Sequence, residues 1–403
     1  MNNKISRFFL TTFMTVLTLL FIAGSAVAYL QPIPAAPPAA PGPTIGTDIP
    51  RLVAPGDEPD YLTAANWAYT PTIRKFVDPL PNLCVPSAAN QMCETGYPIL
   101  NAADMVNKNV PVAIPDIVTY PGSDYYELEI VEFEERMHSD LPPTRLRGYR
   151  QVGMATDTTA CSDPVLGQTD ACTSLNNTLD FNGSNAHYLG PVIVALKDRP
   201  VRVKLYNKLP VTSAGGDLFI PVDQSIMGSG DYQIDFDPST IDHQEIPEVS
   251  GKFTQNRGLL HLHGGRTPWI SDGTPHQWIT PAGDTAAENY PQGVSVVNVS
   301  DMPQPQPGDG WQTYYWTNQQ SARLMFYHDH AWGITRLNVY VGEAAGYVIQ
   351  DDTEKALVES GVLPQEDLVL VVQDKSYVDA ELVDNPYDPG GPQIPKIWLT
   401  DPT

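Results

Sequence analysis

The sequence predicts an all-β protein, a sandwich or barrel of short strands. Three observations carry the prediction. The 403 residues include 39 prolines and 30 glycines, which favour a loop-rich β fold over a helical bundle. Short runs of alternating apolar and polar residues recur between turn signals, the pattern of half-buried strands. No regular alternation of strand and helix suggests a parallel sheet. The hydrophobic share of 42% is ordinary for a globular protein, and the length allows more than one domain.

The chain begins with Lys4 and Arg7, continues through a mostly apolar run over residues 8–22 and reaches Ala26-Val27-Ala28. That order reads as a secretory signal peptide over residues 1–28. The alternative, an uncleaved membrane anchor, fits less well because the run is short for a spanning helix. The reading predicts an exported protein, periplasmic or extracellular, with no membrane attachment after cleavage. In an oxidising compartment the four cysteines pair most simply as neighbours, Cys84 with Cys93 and Cys161 with Cys172, one of three possible connectivities. A cysteine metal site is disfavoured, since none has a close His or a Cys-x-x-Cys partner.

Residues 29–60 are rich in Pro and Ala and read as a linker or surface arm. Residues 61–115 are an N-terminal extension. The first domain is expected over residues 116–352. Its opening strand starts near Tyr125, with Tyr126, Leu128 and Ile130 on one face and Glu127 and Glu129 on the other. Residues 150–187 read as an inserted loop closed by the second cysteine pair. Strands follow at 192–196 and 201–205, then loops with short strands over 212–255. Further strands are expected at 259–263, 293–299, 312–317, 323–328 and 339–350. Residues 353–366 are a linker, helical over 353–360. Leu368-Val369-Leu370-Val371-Val372 reads as a fully buried strand opening a second domain over 367–403, too few residues to complete a sandwich.

The net charge of -24 argues against nucleic acid or an anionic membrane surface as partner. The informative stretch is His261-Leu262-His263, followed by Gly264-Gly265 and echoed at His328-Asp329-His330. Alternate residues of a strand share one face, about 7 Å apart, so each pair aims two imidazoles in one direction. Leu260 and Leu262 face the other way. Two such strands side by side would bring four imidazoles to one pocket, and imidazole binds copper, zinc and iron well. Four rings can close one tetrahedral zinc site. The spacing within each pair suits neighbouring ions better, and a multinuclear copper centre fits both geometry and ligand softness. A cupin would need a Glu soon after the second His, and a His-x-His-x-Asp-His hydrolase would need an Asp and a His. Gly264, Gly265, Arg266 and Thr267 stand there instead.

The stretches LHLHGGRTPWISDGTPHQW (260–278) and FYHDHAWGITRLNVY (326–340) resemble the multicopper oxidases, in particular the bacterial spore-coat laccase and bilirubin oxidase branch. Weaker likeness extends over roughly residues 115–400. The resemblance implies a cupredoxin-like Greek-key β-sandwich, then the incomplete start of a second cupredoxin domain. It implies that His261 binds a type 2 copper and that His263, His328 and His330 bind a type 3 pair. It places Asp272 at the family's acidic position near the water channel, where it could relay protons; alone, Ser271-Asp272-Gly273-Thr274 is also an ordinary turn. His276 is expected to be exposed, and His138, His187 and His243 to have solvent or core roles.

A complete enzyme of this family takes four more cluster histidines and its type 1 copper from a C-terminal domain. No His-Cys-His occurs in this sequence. The expectation is therefore the N-terminal part of a secreted laccase-like oxidase, inactive by itself, supplying half of the cluster that reduces O2. Its partners would be O2, a small reducing substrate or metal ion, and the missing C-terminal domain, encoded by the same gene or supplied as a separate chain. Two alternatives stay open: a non-catalytic secreted copper-binding protein, and a mononuclear four-histidine metal site.

Overall fold

The computed structural model describes residues 74–78, 80–81, 83–84, 110–141, 143–155, 179–180, 186–236, 245–364, 369–375, 377, 382–383 and 394–395. The expected signal segment, the Pro/Ala-rich arm, most of the N-terminal extension, Cys93, Cys161, Cys172 and His243 lie outside them, as does the side chain of Cys84. Among the described residues no helix is long and apolar enough to cross a membrane.

Ten strands and two helices frame the site: β1 (Asp124–Arg136), β2 (Pro143–Val152), β3 (Ile193–Leu196), β4 (Val201–Asn207), β5 (Asp231–Phe236), β6 (Glu245–Lys252), β7 (His261–His263), β8 (Trp311–Trp316), β9 (Arg323–His328), α1 (Thr335–Val341), β10 (Ala344–Gln350) and α2 (Asp352–Glu359). One sheet runs β8-β4-β1-β2 and the other β7-β9-β10-β3. Each contains one parallel pair, β1 with β4 and β10 with β3, so the chain crosses over between strands rather than meandering. β5 and β6 form a separate antiparallel pair.

The inner faces of the two sheets make one core. Tyr126, Leu128 and Ile130 of β1 and Val201, Val203 and Leu205 of β4 cluster with Leu262, Met325, Tyr327, Tyr347 and Ile349 of the other sheet. Strand β4 alternates buried and half-buried residues along its whole length, which is the period-2 pattern that its sequence carries. This is the all-β sandwich expected of a cupredoxin-like domain.

Four expectations need correction. Residues 150–187 are not one loop: β2 runs to Val152, and Met154–Ala155 pairs with Leu179–Asp180. β2 escaped notice because Arg145, Arg147 and Arg150 break its apolar pattern; they are paired with Glu132 and Glu129 of β1. Residues 293–299 form no strand. Only Gln292 bridges to Ile279, and Val294 and Val297 are exposed as the backbone turns after Gly293. Residues 339–350 divide into the end of α1 and β10. Gly342, at φ +123° and with no room for a Cβ beside the carbonyl of Arg147, separates the two. Residues 369–372 are in no strand. Leu370, Val371 and Val372 are 49%, 43% and 95% exposed, because no strand among the described residues pairs with them. The helix expected over 353–360 is α2, started by the Asp351 carboxylate accepting from Glu354 N–H at 2.8 Å.

Candidate metal centre

β7 is a three-residue strand, preceded by the buried Leu260 and ended by a glycine turn. Leu260 and Leu262 are buried in the core, which turns His261 and His263 to the opposite face. Gly264, at φ +84°, begins the turn that ends the strand, and Gly265 N–H closes it on the Leu262 carbonyl at 2.9 Å. β7 pairs antiparallel with β9 in a register that sets His261 opposite His328 and His263 opposite Phe326. β9 stops at His328, and His330 follows on the turn towards α1.

The four imidazoles therefore meet. Ring centroids lie 5.7 Å apart for His261 and His263, 5.4 Å for His261 and His328, 5.1 Å for His261 and His330, 5.3 Å for His263 and His328, and 5.6 Å for His328 and His330. Phe326 stacks on His263 at 4.5 Å and lies 5.3 Å from His328. One donor nitrogen from each of His261, His263 and His328 falls within 4.8 Å of the others; His330 does not complete that set.

Hydrogen bonds choose which nitrogens face the pocket. His261 Nδ1 lies 2.5 Å from the Asp272 carbonyl, and His328 Nδ1 lies 2.5 Å from the Asp329 carbonyl. A carbonyl only accepts, so each Nδ1 carries the proton and each Nε2 keeps a lone pair for a ligand. His328 Nε2 sits 3.1 Å from His263 Nδ1. Two nitrogens bound tetrahedrally to one ion at about 2.0 Å would be about 3.3 Å apart, so this pair is spaced to share an ion. The buried Nδ1 of His330 has no hydrogen-bond partner among the described residues, an atom that a cation or a water would satisfy.

Burial favours the neutral form of His261 and His328, the form that ligation requires. It lowers the pKa of His261 against the opposing Asp272 carbonyl, and it lowers that of His328 to about 4, helped by the neighbouring imidazoles. Behind the rings lies a buried polar layer. Burial pushes the Asp329 carboxyl up to about 6 against its hydrogen bonds and Arg257, and pushes Glu343 well above the usual range. Arg257 is lowered to about 10 by its own burial.

The structure places the other residues singled out from sequence as follows. Asp272 caps the 3-10 turn Trp269–Ser271; its carboxylate accepts from Thr267 Oγ1 at 2.7 Å and stands 3.9 Å from His261 Nδ1. His276 is exposed, edge-on to Trp332 at 4.9 Å. His138 lies elsewhere, 3.2 Å from Asp78 and 3.7 Å from Asp140, and His187 is buried away from the cluster. Sequence reasoning passed over Asp329, Asn338 and Phe326. Only Asp329 had a signal, a carboxylate between two candidate ligands.

No family model matches the chain. Curated relatives do. The chain is 29% identical to a laccase of Bacillus subtilis over 297 residues, 73% of this chain and 41% of that protein. It is 27% identical to a laccase of Haloferax volcanii over 314 residues, 77% of this chain and 36% of that protein. A bilirubin oxidase of Albifimbria verrucaria is 39% identical over 72 residues, 18% of this chain and 12% of that protein. The chain thus spans about two fifths of the Bacillus laccase it matches. Among solved structures, a laccase from Pediococcus acidilactici is similar at 18% identity with a TM-score of 0.32, over 62% of this chain and 31% of that one.

Proposed function

We propose that this chain, a member of the multicopper oxidase family, forms one histidine wall of a multinuclear copper centre in a laccase-like oxidase. The observation that carries the reading is the convergence of His261, His263, His328 and His330 across the β7–β9 pair, with lone pairs turned inward by the Asp272 and Asp329 carbonyls. Copper bound there would supply one-electron redox chemistry with dioxygen as the acceptor. His263 and His328 would hold one ion between them; His261 would hold a type 2 copper, and His330 would complete the type 3 set with His263 and His328. The remaining ligands, the type 1 copper and the contact with the reductant would be supplied by a further cupredoxin domain, in the same or a separate chain. A phenol, a pigment of the bilirubin kind or a metal ion suits such a site as reductant.

The chain's own residues do three things in this scheme. The hydrogen-bonded carbonyls hold His261 and His328 in one tautomer. The buried Asp329, Glu343 and Arg257 back the rings, and Phe326 stacks on His263 beside them. Asp272, half-exposed with its carboxylate 3.9 Å from His261 Nδ1, would relay protons from solvent to the reaction. Export rests on the basic, apolar and small-residue order of residues 4–28.

The His330 donor outside the three-histidine set weighs against a single four-histidine ion. Copper titration of the full chain tests the reading. His263→Ala and His328→Ala are each expected to lose the ion the two rings share, measured as copper retained after gel filtration. Copper content equal to that of the native chain in either variant overturns the assignment. One ion per chain that needs all four histidines would favour the mononuclear alternative.

A further inference from the structure

Asp329 is fully buried, and every hydrogen bond its carboxylate accepts comes from a segment that carries or supports a histidine. Oδ1 accepts from Leu259 N–H at 3.0 Å, on the approach to β7. Oδ2 accepts from Ala331 N–H at 2.9 Å, next to His330, and from Asn338 Nδ2 at 2.9 Å, on α1. Its own N–H donates to the Glu343 carbonyl at 3.1 Å, at the foot of β10, and its carbonyl accepts from His328 Nδ1. Asn338 in turn donates to the Arg257 carbonyl at 3.1 Å. The β7–β9 ladder ends at His261 and His328, so strand pairing does not hold His330.

We propose that Asp329 is a positioning residue of the metal centre: its carboxylate fastens the two histidine pairs to each other and to α1 where strand pairing has run out. The inference rests on the copper reading above. A carboxylate accepting three N–H groups cannot be replaced by an amide without setting an NH2 against at least one donor. The displaced turn would then carry His328 and His330 out of alignment, and partners one step removed from a metal typically govern about 10–100-fold in affinity.

The test titrates the full chain with copper(II) chloride, following the dissociation constant and the electron paramagnetic resonance spectrum, beside a urea midpoint for the metal-free protein. Asp329→Asn should bind copper about 10–100-fold more weakly with altered copper hyperfine splitting, and Asn338→Ala should shift both in the same direction by less. Asn318→Ala is the stability control. That residue is buried, accepts from Tyr347 and donates to the Arg199 carbonyl, remote from the four rings, so its loss should lower the urea midpoint and leave copper binding and spectrum unchanged. Native affinity and spectrum in Asp329→Asn, with binding lost in His328→Ala, overturn the positioning role alone. Equal losses in Asn318→Ala overturn it as well, by reducing it to stability. If Asp329→Asn does not fold, native copper binding in Asn338→Ala is the overturning result. Failure of the native chain to bind copper through its histidines overturns the copper reading, and this inference with it.

Discussion

The two histidine pairs are alike in sequence and unlike in setting. His261-Leu262-His263 lies wholly within β7, and its middle residue is an apolar plug, 2% exposed in the core between the sheets. His328-Asp329-His330 starts on the last residue of β9 and continues into a turn, and its middle residue is a buried carboxylate with three donors around it. Packing is non-directional: Leu262 decides which face of the strand the rings occupy and little more. Hydrogen bonds are directional: where the ladder ends, the Asp329 carbonyl fixes the His328 ring and its carboxylate fixes the backbone beside His330. One pair is therefore aimed by the core and the other by a polar knot.

The first way to break the comparison is to remove the plug. Leu262→Ala empties a position packed among Tyr327, Met325 and their neighbours, and a truncation of this kind costs about 2–5 kcal/mol of folding stability. Urea unfolding of the metal-free chain measures it. A cost below about 1 kcal/mol would mean that β7 is held by its turns rather than by the core.

The second sharpens the contrast through acid. His328 is lowered to about 4 and His261 is lowered as well, both by burial, whereas an unfolded His titrates near 6.5. Between about 4 and about 6.5 the unfolded chain thus binds more protons, so stability rises with pH across that window and is fully present above it. For His328 the difference is worth at most about 3 kcal/mol. Stability curves from pH 4 to 7 on native and His328→Gln proteins should differ in slope over this range; parallel curves would show that the ring is not held neutral by its surroundings.

These effects also explain what was legible in the sequence. A strand that alternates cleanly, such as β4, was visible because one face is buried and period 2 follows directly. The His-x-His pairs were visible for the same reason, since strand geometry alone puts both rings on one side. β2 was hidden because its arginines, the fully buried Arg147 among them, pair with glutamates on a neighbouring strand, which no local pattern reveals. α1 read as strand because Val339 and Val341 look β-prone, while the helix is set by Gly342 and by Asn338 reaching Asp329. The ligand types were legible at the site; their tautomers were not, because they depend on carbonyls brought up by folding. Asp329 was the hardest to read, since a carboxylate beside histidines invites a catalytic role when its bonds all run to the backbone and to Asn338.

The smallest expected effect concerns the one side chain that both pairs share. Phe326 is opposite His263 in the ladder and stacks on it at 4.5 Å, with His328 next along the same strand at 5.3 Å. Aromatic pairs of this kind are worth about 0.5–1.5 kcal/mol beyond their buried area, or roughly 2- to 12-fold in a binding constant. Phe326→Leu keeps an apolar group on a partly exposed position but removes the flat face against His263. The ring of His263, which no backbone carbonyl fixes, should lose more order than the ring of His328, which Asp329 fixes. Copper affinity should therefore fall a few-fold in Phe326→Leu and fall no further when Phe326→Leu is added to His263→Ala. A full additional loss in the double variant would assign the stacking to His328 instead, and would mean that the polar knot does not hold its ring unaided.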